Sequence, residues 1–197
     1  MAVIHQTSLV PSKLDLLAVW LPRQSWYAGQ PDGPALAKVG GFRLDDPAGE
    51  VGIEFMVARN DAAREVTAYL VPMTYRGSAL AGADEHLIGT SEHGVLGKRW
   101  IYDGTHDPVL LAQLAELIQG RVQAQAQSQS NTPDATVYAV PAAAAPGQGL
   151  SISFARRLSP AADGAGLPGV GEVTGLWTAP DGTLVRSLFA TARPVID

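Results

Sequence analysis

Three histidines lie close together in the sequence, and histidine is the side chain best suited to metal binding and proton transfer near neutral pH. His86, His93 and His106 fall within 21 residues. A metal site or an acid/base site is one hypothesis, but the spacings match no ligand pattern for zinc. We interpret the histidines as turn and cap residues, and the sequence predicts no metal site. Carboxylates accompany them at Glu85, Glu92, Asp103 and Asp107.

The first half of the chain is also rich in aromatic side chains that have arginine and aspartate nearby. Sugar sites combine an aromatic platform with planar polar groups, so these residues form a candidate site for a small molecule or a glucan. In the alternative interpretation the aromatic rings belong to the core or to an interaction face, and the arginines pair with aspartates for structural reasons. The candidate residues are Trp26, Tyr27, Tyr75, Arg76, Trp100 and Asp103.

Several motifs of known enzyme classes are absent. The sequence contains no G-x-x-x-x-G-K-[ST] phosphate loop, no G-x-S-x-G nucleophile elbow and no H-E-x-x-H zinc motif. A branching enzyme needs a full (β/α)-barrel with paired carboxylates. This chain is too short for that barrel and shows no alternating βα pattern.

Two helices must position these residues. The segment "VPSKLDLLAVWLP" predicts a first helix that Ser12 caps, with Asp15 in its first turn and Pro22 at its end. The segment "THDPVLLAQLAELIQG" predicts a second helix with Asp107 as N-cap and Pro108 in the first helical position. This helix ends near Gly120 or extends into "RVQAQAQ".

The hydrophobic period changes to two in the remaining segments, which indicates β-strands. In the first half these are "AKVGGFRLDD", "GEVGIEFMVAR", "REVTAYLVPMTYRG" and residues 96–102. In the second half they are "TVYAV", "LSISFARRL", "EVTGLWTA" and "TLVRSLFATA". The polar run "AQAQSQSNTPDA" predicts a connection between two subdomains, residues 1–126 and 127–197.

The composition bounds the class of protein. The chain has 197 residues, no cysteine and a net charge of −5. Without cysteine, disulfides and thiolate metal sites are excluded, and a reducing compartment is indicated. The charge argues against a basic nucleic-acid-binding face. No apolar run reaches the ~18 residues of a membrane span, and "MAVIHQTSLV" lacks the pattern of a secretory signal. We therefore expect a cytoplasmic protein that binds neither nucleic acid nor membrane.

Three segments together resemble the N-terminal cap domain of actinobacterial maltokinases. They are "LAVWLPRQSWYAG", "YLVPMTYRG" and "GVLGKRWIYDGTHDP", the last of which leads into the leucine-rich helix. The resemblance covers residues 1–120 and implies an α+β fold, with an antiparallel sheet and two main helices in a cystatin-like cap. The resemblance also extends to short stand-alone cap proteins, some of them labelled glucan branching proteins.

The second half resembles a kinase N-lobe in the form of a small antiparallel β subdomain. "QSNTPDATV" is similar to the loop over the nucleotide phosphates, and "LSISFARRL" to the strand that carries the phosphate-pairing lysine, with Ser153 at the lysine position. The resemblance therefore implies a degenerate nucleotide loop made of Ser130, Asn131, Thr132 and Ser153. The sequence ends about where the interlobe hinge would begin, so we expect the catalytic C-lobe to be absent. No catalytic residue and no cofactor are predicted.

These observations lead to three functional hypotheses. The first is a non-catalytic accessory or interaction protein linked to maltose, trehalose or α-glucan metabolism, where the resembling family works. Its partner would be a protein of that metabolism or a second copy of the chain. The second is a small-molecule or glucan-binding module. The third, a residual sugar kinase or branching enzyme, ranks last.

Overall fold

A computed structural model describes residues 9–29, 33–62, 66–129, 131–145, 147–161 and 167–195. Two α-helices accompany a mostly antiparallel sheet in these ranges, which confirms the predicted α+β class. The likeness to a cystatin and to a kinase N-lobe stays a prediction. The elements are β1 (Leu9–Val10), α1 (Lys13–Trp20), β2 (Leu36–Leu44), β3 (Gly52–Asn60), β4 (Thr67–Arg76), β5 (Leu87–His93), β6 (Gly97–Asp103), α2 (Pro108–Ile118), β7 (Tyr138–Val140), β8 (Leu150–Phe154), β9 (Arg157–Leu158), β10 (Gly171–Thr178) and β11 (Leu184–Pro194).

Both helices begin where the sequence predicts. Ser12 and Asp15 form a capping box at α1, because the Asp15 amide donates to the Ser12 hydroxyl and the Ser12 amide donates to the Asp15 carboxylate. Asp107 caps α2, with Pro108 in its first turn. The helix ends at Ile118 and does not extend into "RVQAQAQ". No helix in the described ranges is long and apolar enough to cross a membrane.

Strand β5 lies where the sequence predicts no strand and where His93 was expected in a turn or cap. Its sequence, "LIGTSEH", mixes glycine and polar residues and so lacks a clear alternation. The strand forms because β6 pairs with one edge and β1 with the other. Helix α1 covers it closely: a Cβ atom on Gly89 would lie 2.8 Å from Cδ2 of Leu16. Tertiary contacts, rather than local sequence preference, make this segment a strand.

The sheet closes on itself. Its strand order is β1-β5-β6-β4-β3-β2-β10-β11-β8. After β8 the chain first stays on β11, where the Ala155 amide donates to the Phe189 carbonyl. It then reaches β4, where the Leu70 amide donates to the Arg156 carbonyl and β9 pairs with the strand. Strands β4, β3, β2, β10 and β11 together with residues 150–158 therefore form a closed barrel.

The two faces of the sheet carry two cores. Phe42 and Phe55 stack with ring centroids 4.3 Å apart, and Phe189 lies 6.2 Å from Phe42 on the same face, which α2 covers. Helix α1 packs on the opposite face against Met56 and Tyr69. The first core takes residues from both predicted subdomains, so strands of 1–126 and 127–197 share one sheet and one core. The boundary between residues 126 and 127 stays a prediction.

Candidate functional site

Trp26 and Tyr27 lie in the loop after α1 and pack around Tyr69 of β4. The ring centroids of Tyr27 and Tyr69 are 5.4 Å apart, and those of Trp26 and Tyr69 are 5.9 Å apart. The Tyr27 hydroxyl accepts a hydrogen bond of 3.2 Å from the Asn60 amide. Burial and the neighbouring Tyr69 raise the pKa of Tyr27. The two predicted aromatic residues are therefore neighbours, each packed against the sheet.

Asp103, at the end of β6, joins this cluster through Arg156. The Arg156 guanidinium forms an ion pair with the buried Asp103 carboxylate and donates a 2.9 Å hydrogen bond to the Thr105 hydroxyl. It also lies 4.9 Å from the ring centroid of Trp26. Arg156 is not among the site residues predicted from the sequence. The Arg156–Arg157 pair was visible in "LSISFARRL", but only the closed barrel brings it to β6.

Arg76 does not face the Trp26 cluster, because it is bound to Asp107. Its Nε and Nη2 atoms donate to the two carboxylate oxygens at 2.7 Å each. Thr74 Oγ1 donates to the same carboxylate at 2.8 Å, and the Val109 amide donates at 2.9 Å. Burial would raise the pKa of Asp107, but these hydrogen bonds and the Arg76 charge lower it overall. The structure thus confirms the structural interpretation, an arginine paired with an aspartate, at this position.

A buried carboxylate that the sequence analysis missed lies at Glu54 on β3, where the side chain is only 4% exposed. Lys13 Nζ donates to its Oε2 atom at 2.5 Å, and the Tyr75 hydroxyl donates to the same atom at 2.6 Å. Lys38 Nζ lies 3.6 Å from Oε1, and Gln127 Nε2 donates to Oε1 at 3.1 Å. The only signal in the sequence was a single acidic residue within the apolar strand "GIEFMVAR".

The Glu54 network explains the position of Tyr75. Burial would raise the pKa of Glu54, but the charges of Lys13 and Lys38, with the hydrogen bonds from Lys13 and Tyr75, lower it overall. Burial and then the Glu54 charge raise the pKa of Tyr75 well above its usual range. Glu54 is therefore ionised and Tyr75 neutral at physiological pH. This arrangement ties α1, three strands and the segment around Gln127 to one carboxylate.

We predict that Glu54→Gln makes the protein less sensitive to acid. The folded-state pKa of Glu54 lies below its ordinary value of 4.5, so its stabilisation is complete above about pH 5 and is lost as the pH falls through the lower folded-state value. At neutral pH the variant should lose about 1–3 kcal/mol of unfolding free energy. Urea unfolding between pH 7 and acid measures both effects. The exposed Glu50→Gln is the control, and an unchanged acid slope in Glu54→Gln would contradict the prediction.

Trp100 neighbours Arg76 of the predicted site across two paired strands. It is on β6, opposite Arg76 of β4 and Thr90 of β5 in the strand register. Its ring is partly exposed, and Lys98 Nζ lies 5.0 Å from the ring centroid. All four predicted aromatic residues are partly buried, but Trp26 and Tyr27 pack on other rings and Tyr75 binds Glu54, so Trp100 most resembles a platform for a ligand.

The structure brings two of the three histidines together. The rings of His86 and His106 stack with centroids 3.6 Å apart and an interplanar angle of 2°. His93 lies instead at the β5–β6 hairpin, where its Nδ1 atom accepts from the amides of Val95 and Leu96. Within the described ranges, no group of three or more His, Asp or Glu side chains is placed to hold a metal ion.

The predicted nucleotide-loop residues are dispersed. Ser130 lies outside the described residues, while Asn131 adopts a positive φ of 53° and the Thr132 carbonyl accepts from the Ala126 amide. This loop rests on β2, through the bridge between Arg43 and Gln125. Ser153 is exposed on β8, opposite Thr191 of β11. In the strand order β10 and β11 lie between β2 and β8.

A groove of about 430 Å³ lies between the end of α2 and residues 133–139. Its lining is mostly apolar, and Tyr138 at its border is 59% exposed. The Arg186 guanidinium lies 4.5 Å from the centroid of the Tyr138 ring. None of the ligand-binding residues predicted from the sequence lines this groove.

Residues 20–107 match the family model of the maltokinase N-terminal cap domain. A search of curated proteins finds no match to the chain. The matched segment runs from the end of α1 to the N-cap of α2, and it contains the whole predicted ligand site. The match confirms the resemblance of the first half of the chain to this cap domain.

Proposed function

We propose that the chain is a non-catalytic accessory or interaction protein linked to maltose, trehalose or α-glucan metabolism. The match of residues 20–107 to the maltokinase N-terminal cap domain carries this proposal. A cap domain is a covering module, so the segment's natural role is contact with another protein surface. We expect the partner to be an enzyme of that metabolism.

The internal hydrogen bonding of the candidate site supports an interaction role over sugar binding. Tyr75 donates to Glu54, Arg76 to Asp107, and Arg156 holds Asp103. A sugar that used these groups would have to displace ion pairs or hydrogen bonds with buried carboxylates, and that costs about 1–3 kcal/mol for each buried group left without a partner.

Ser153 supports the non-catalytic part of the proposal. Phosphoryl transfer depends on cationic groups that neutralise the charge of the nucleotide phosphates. The serine that occupies the lysine position of the resembling kinases is neutral and short, and its side chain is exposed on β8. A residual sugar kinase or a branching enzyme therefore ranks last among the candidate functions.

Trp100 favours the second candidate function, a small-molecule or glucan-binding module. A partly exposed indole with a neighbouring ammonium group can stack on a sugar ring while the lysine donates to its hydroxyls. Trp26 offers less, because its ring packs against Trp20 and Tyr69 as well as against Arg156.

Calorimetric titration tests the proposal. The chain would be titrated with a purified maltose kinase, a maltose–trehalose interconverting enzyme and an α-glucan branching enzyme, while the chain alone is assayed with maltose and Mg-ATP. We expect saturable binding to one enzyme and no ADP release by the chain alone. ADP release that depends on maltose would overturn the non-catalytic assignment.

A thermal-shift titration with maltose, trehalose, soluble glucan and Mg-ATP separates the alternatives. A ligand at 100 times its Kd stabilises the folded state by about 2.7 kcal/mol, which raises Tm visibly. A shift with a sugar that Trp100→Ala abolishes, together with no enzyme binding, would replace the interaction role by the binding module. The control is Trp26→Ala, which should lower Tm without changing the shift caused by the sugar.

A further inference from the structure

The groove between the end of α2 and residues 133–139 carries polar groups with hydrogen-bonding capacity to spare. In the part of the chain that the structure describes, the Gln123 side-chain amide, the Asp134 Oδ2 atom and the Tyr138 hydroxyl make no hydrogen bond with the protein. Only Oδ1 of Asp134 is used, since it accepts from the Thr136 amide and hydroxyl at 2.9 and 2.6 Å. A ligand can therefore bind these groups without displacing an ion pair, in contrast to the site predicted from the sequence.

Backbone hydrogen bonds hold the two walls of the groove together. The Asp134 amide donates to the Ala124 carbonyl at 2.8 Å. Gln125 forms one bridge with Pro133 and another with Arg43 of β2, which ties the groove to the sheet. The groove is therefore formed before a ligand binds, as is usual for small-molecule sites, and its volume of about 430 Å³ is within their range of roughly 300–1,000 Å³.

Tyr138 of β7 supplies an aromatic ring at the border of the groove. The residue is 59% exposed, although the Arg186 guanidinium lies 4.5 Å from the centroid of its ring. Nη1 of Arg186 donates to the Thr136 carbonyl at 2.9 Å and to the Thr174 hydroxyl at 3.2 Å. These bonds fix the guanidinium, which in turn supports the ring. A ligand that stacks on Tyr138 therefore has little side-chain freedom to remove.

We propose that this groove binds a neutral sugar of one or two pyranose rings, stacked on Tyr138 and hydrogen-bonded to Gln123 and Asp134. A pyranose has an apolar face of C–H groups and a rim of hydroxyls. The groove offers the same two kinds of surface, because its lining is mostly apolar and its polar groups are few. The Gln123 amide both donates and accepts, and Asp134 Oδ2 accepts, so both suit sugar hydroxyls.

The charges of the groove disfavour an anionic ligand. Among the described residues that line it, Asp134 is the only acidic one, and none is a lysine, arginine or histidine. Two cations lie near the lining residues, but Arg121 binds Glu116, and Arg186 is held by its own hydrogen bonds. A phosphate group would thus meet a carboxylate and no available cation. A wholly apolar ligand would take water from Asp134 without replacing its hydrogen bonds, which is unfavourable.

This inference goes beyond the proposed interaction role, because it concerns a different part of the chain. The lining residues fall between positions 117 and 139, outside residues 20–107, which match the cap domain. Trp100, the platform of the second candidate function, does not line the groove. Sugar binding in the groove and enzyme binding by the cap segment can therefore be present or absent independently, and separate titrations measure them.

Titration of the ¹⁵N-labelled chain with maltose, followed by amide chemical shifts, tests the proposal. We expect saturable shifts confined to residues 120–124 and 134–139, with a Kd on the order of 1 mM. Sorbitol is the ligand control, since this acyclic polyol has hydroxyls but no ring face to stack on a tyrosine. It should cause no shifts at the same concentrations.

Variants of the groove separate stacking from hydrogen bonding. Tyr138→Ala should weaken maltose binding by about tenfold or more, whereas Tyr138→Phe keeps the ring and should stay within about threefold of the wild type. Gln123→Ala should weaken binding by about three- to tenfold. Trp100→Ala is the control for the other candidate platform and should leave the Kd unchanged. All four positions are at least partly exposed, and circular dichroism checks that each variant folds.

Three results would overturn the proposal. The first is the absence of shifts at about 50 mM maltose, far above the expected Kd. The second is an equal response to sorbitol, which would remove the argument from the ring face. The third is a set of shifts that Tyr138→Ala leaves in place, or that Trp100→Ala abolishes, because either would locate the sugar elsewhere on the molecule.

Discussion

Asp107→Ala is expected to lower the free energy of unfolding by about 3–5 kcal/mol, the usual effect of breaking a buried ion pair from one side. The Asp107 side chain is fully buried, and it receives both arms of the Arg76 guanidinium. It also accepts from Thr74 and from the Val109 amide at the start of α2. The substitution would remove the N-cap of the helix and leave a mostly buried arginine without its partner.

Glu116→Ala provides a control in which the carboxylate is also bound by both arms of an arginine, but on the surface and without a helix cap. Arg121 also binds its carboxylate with two hydrogen bonds, of 2.6 and 2.7 Å. That pair is on the surface, with side chains 57% and 37% exposed, so its loss should cost no more than about 1 kcal/mol. Urea denaturation of both variants gives the two values. Equal losses would mean that burial does not determine the strength of the Arg76–Asp107 pair.

The local features of this site were predictable from the sequence, whereas its long-range contacts were not. Asp107 and Pro108 are two adjacent residues that together indicate the start of a helix, so the N-cap of α2 was predicted correctly. The pairing of Asp103 with Arg156 spans 53 residues and exists only because the barrel closes. No local pattern encodes such a contact. Tyr75 was predicted for its aromatic ring, yet its hydroxyl bond to Glu54 determines its position.

The same distinction between local pattern and long-range contact explains which strands could be predicted. Strands with regular alternation, such as β3 and β4, were predicted, because each residue's face follows from its own sequence. Strand β5 was missed because its pairing with β1 and β6 and its cover by α1 replace the missing alternation. Both halves share one sheet because β9 pairs with β4 and because Gly40 of β2 pairs with Trp177 of β10, and no hydrophobic pattern shows which strands will meet.

The glycine pair in "KVGGF" makes the pairing of β2 with β10 possible, and the second large prediction concerns these two glycines. A Cβ atom on Gly40 would lie 2.7 Å from the Leu176 carbonyl oxygen, so only glycine lets β10 approach β2 this closely. Gly41 has φ of +120°, and a Cβ atom there would lie 1.9 Å from the Phe55 carbonyl oxygen. The strand register on β3 shifts just before this pair.

Gly41→Ala should therefore destabilise the protein by more than about 4 kcal/mol, in the range that marks a severe backbone conflict. The added methyl group meets the β3 backbone, which cannot move without breaking the β2–β3 ladder. Gly49→Ala is the control, since Gly49 also has a positive φ, +72°, but has nothing within 4 Å of the added atom. Its cost should be about 1 kcal/mol, the ordinary penalty for a left-handed residue.

Denaturant unfolding and amide hydrogen exchange distinguish the two variants. In Gly41→Ala, exchange should become faster in β2 and in the facing part of β10 together, because the bend at Gly41 and the contact at Gly40 bring these strands into one sheet. In Gly49→Ala, faster exchange should be confined to the turn before β3. Equal destabilisation by the two substitutions would show that positive φ alone, and not the close approach to Phe55, makes glycine necessary at position 41.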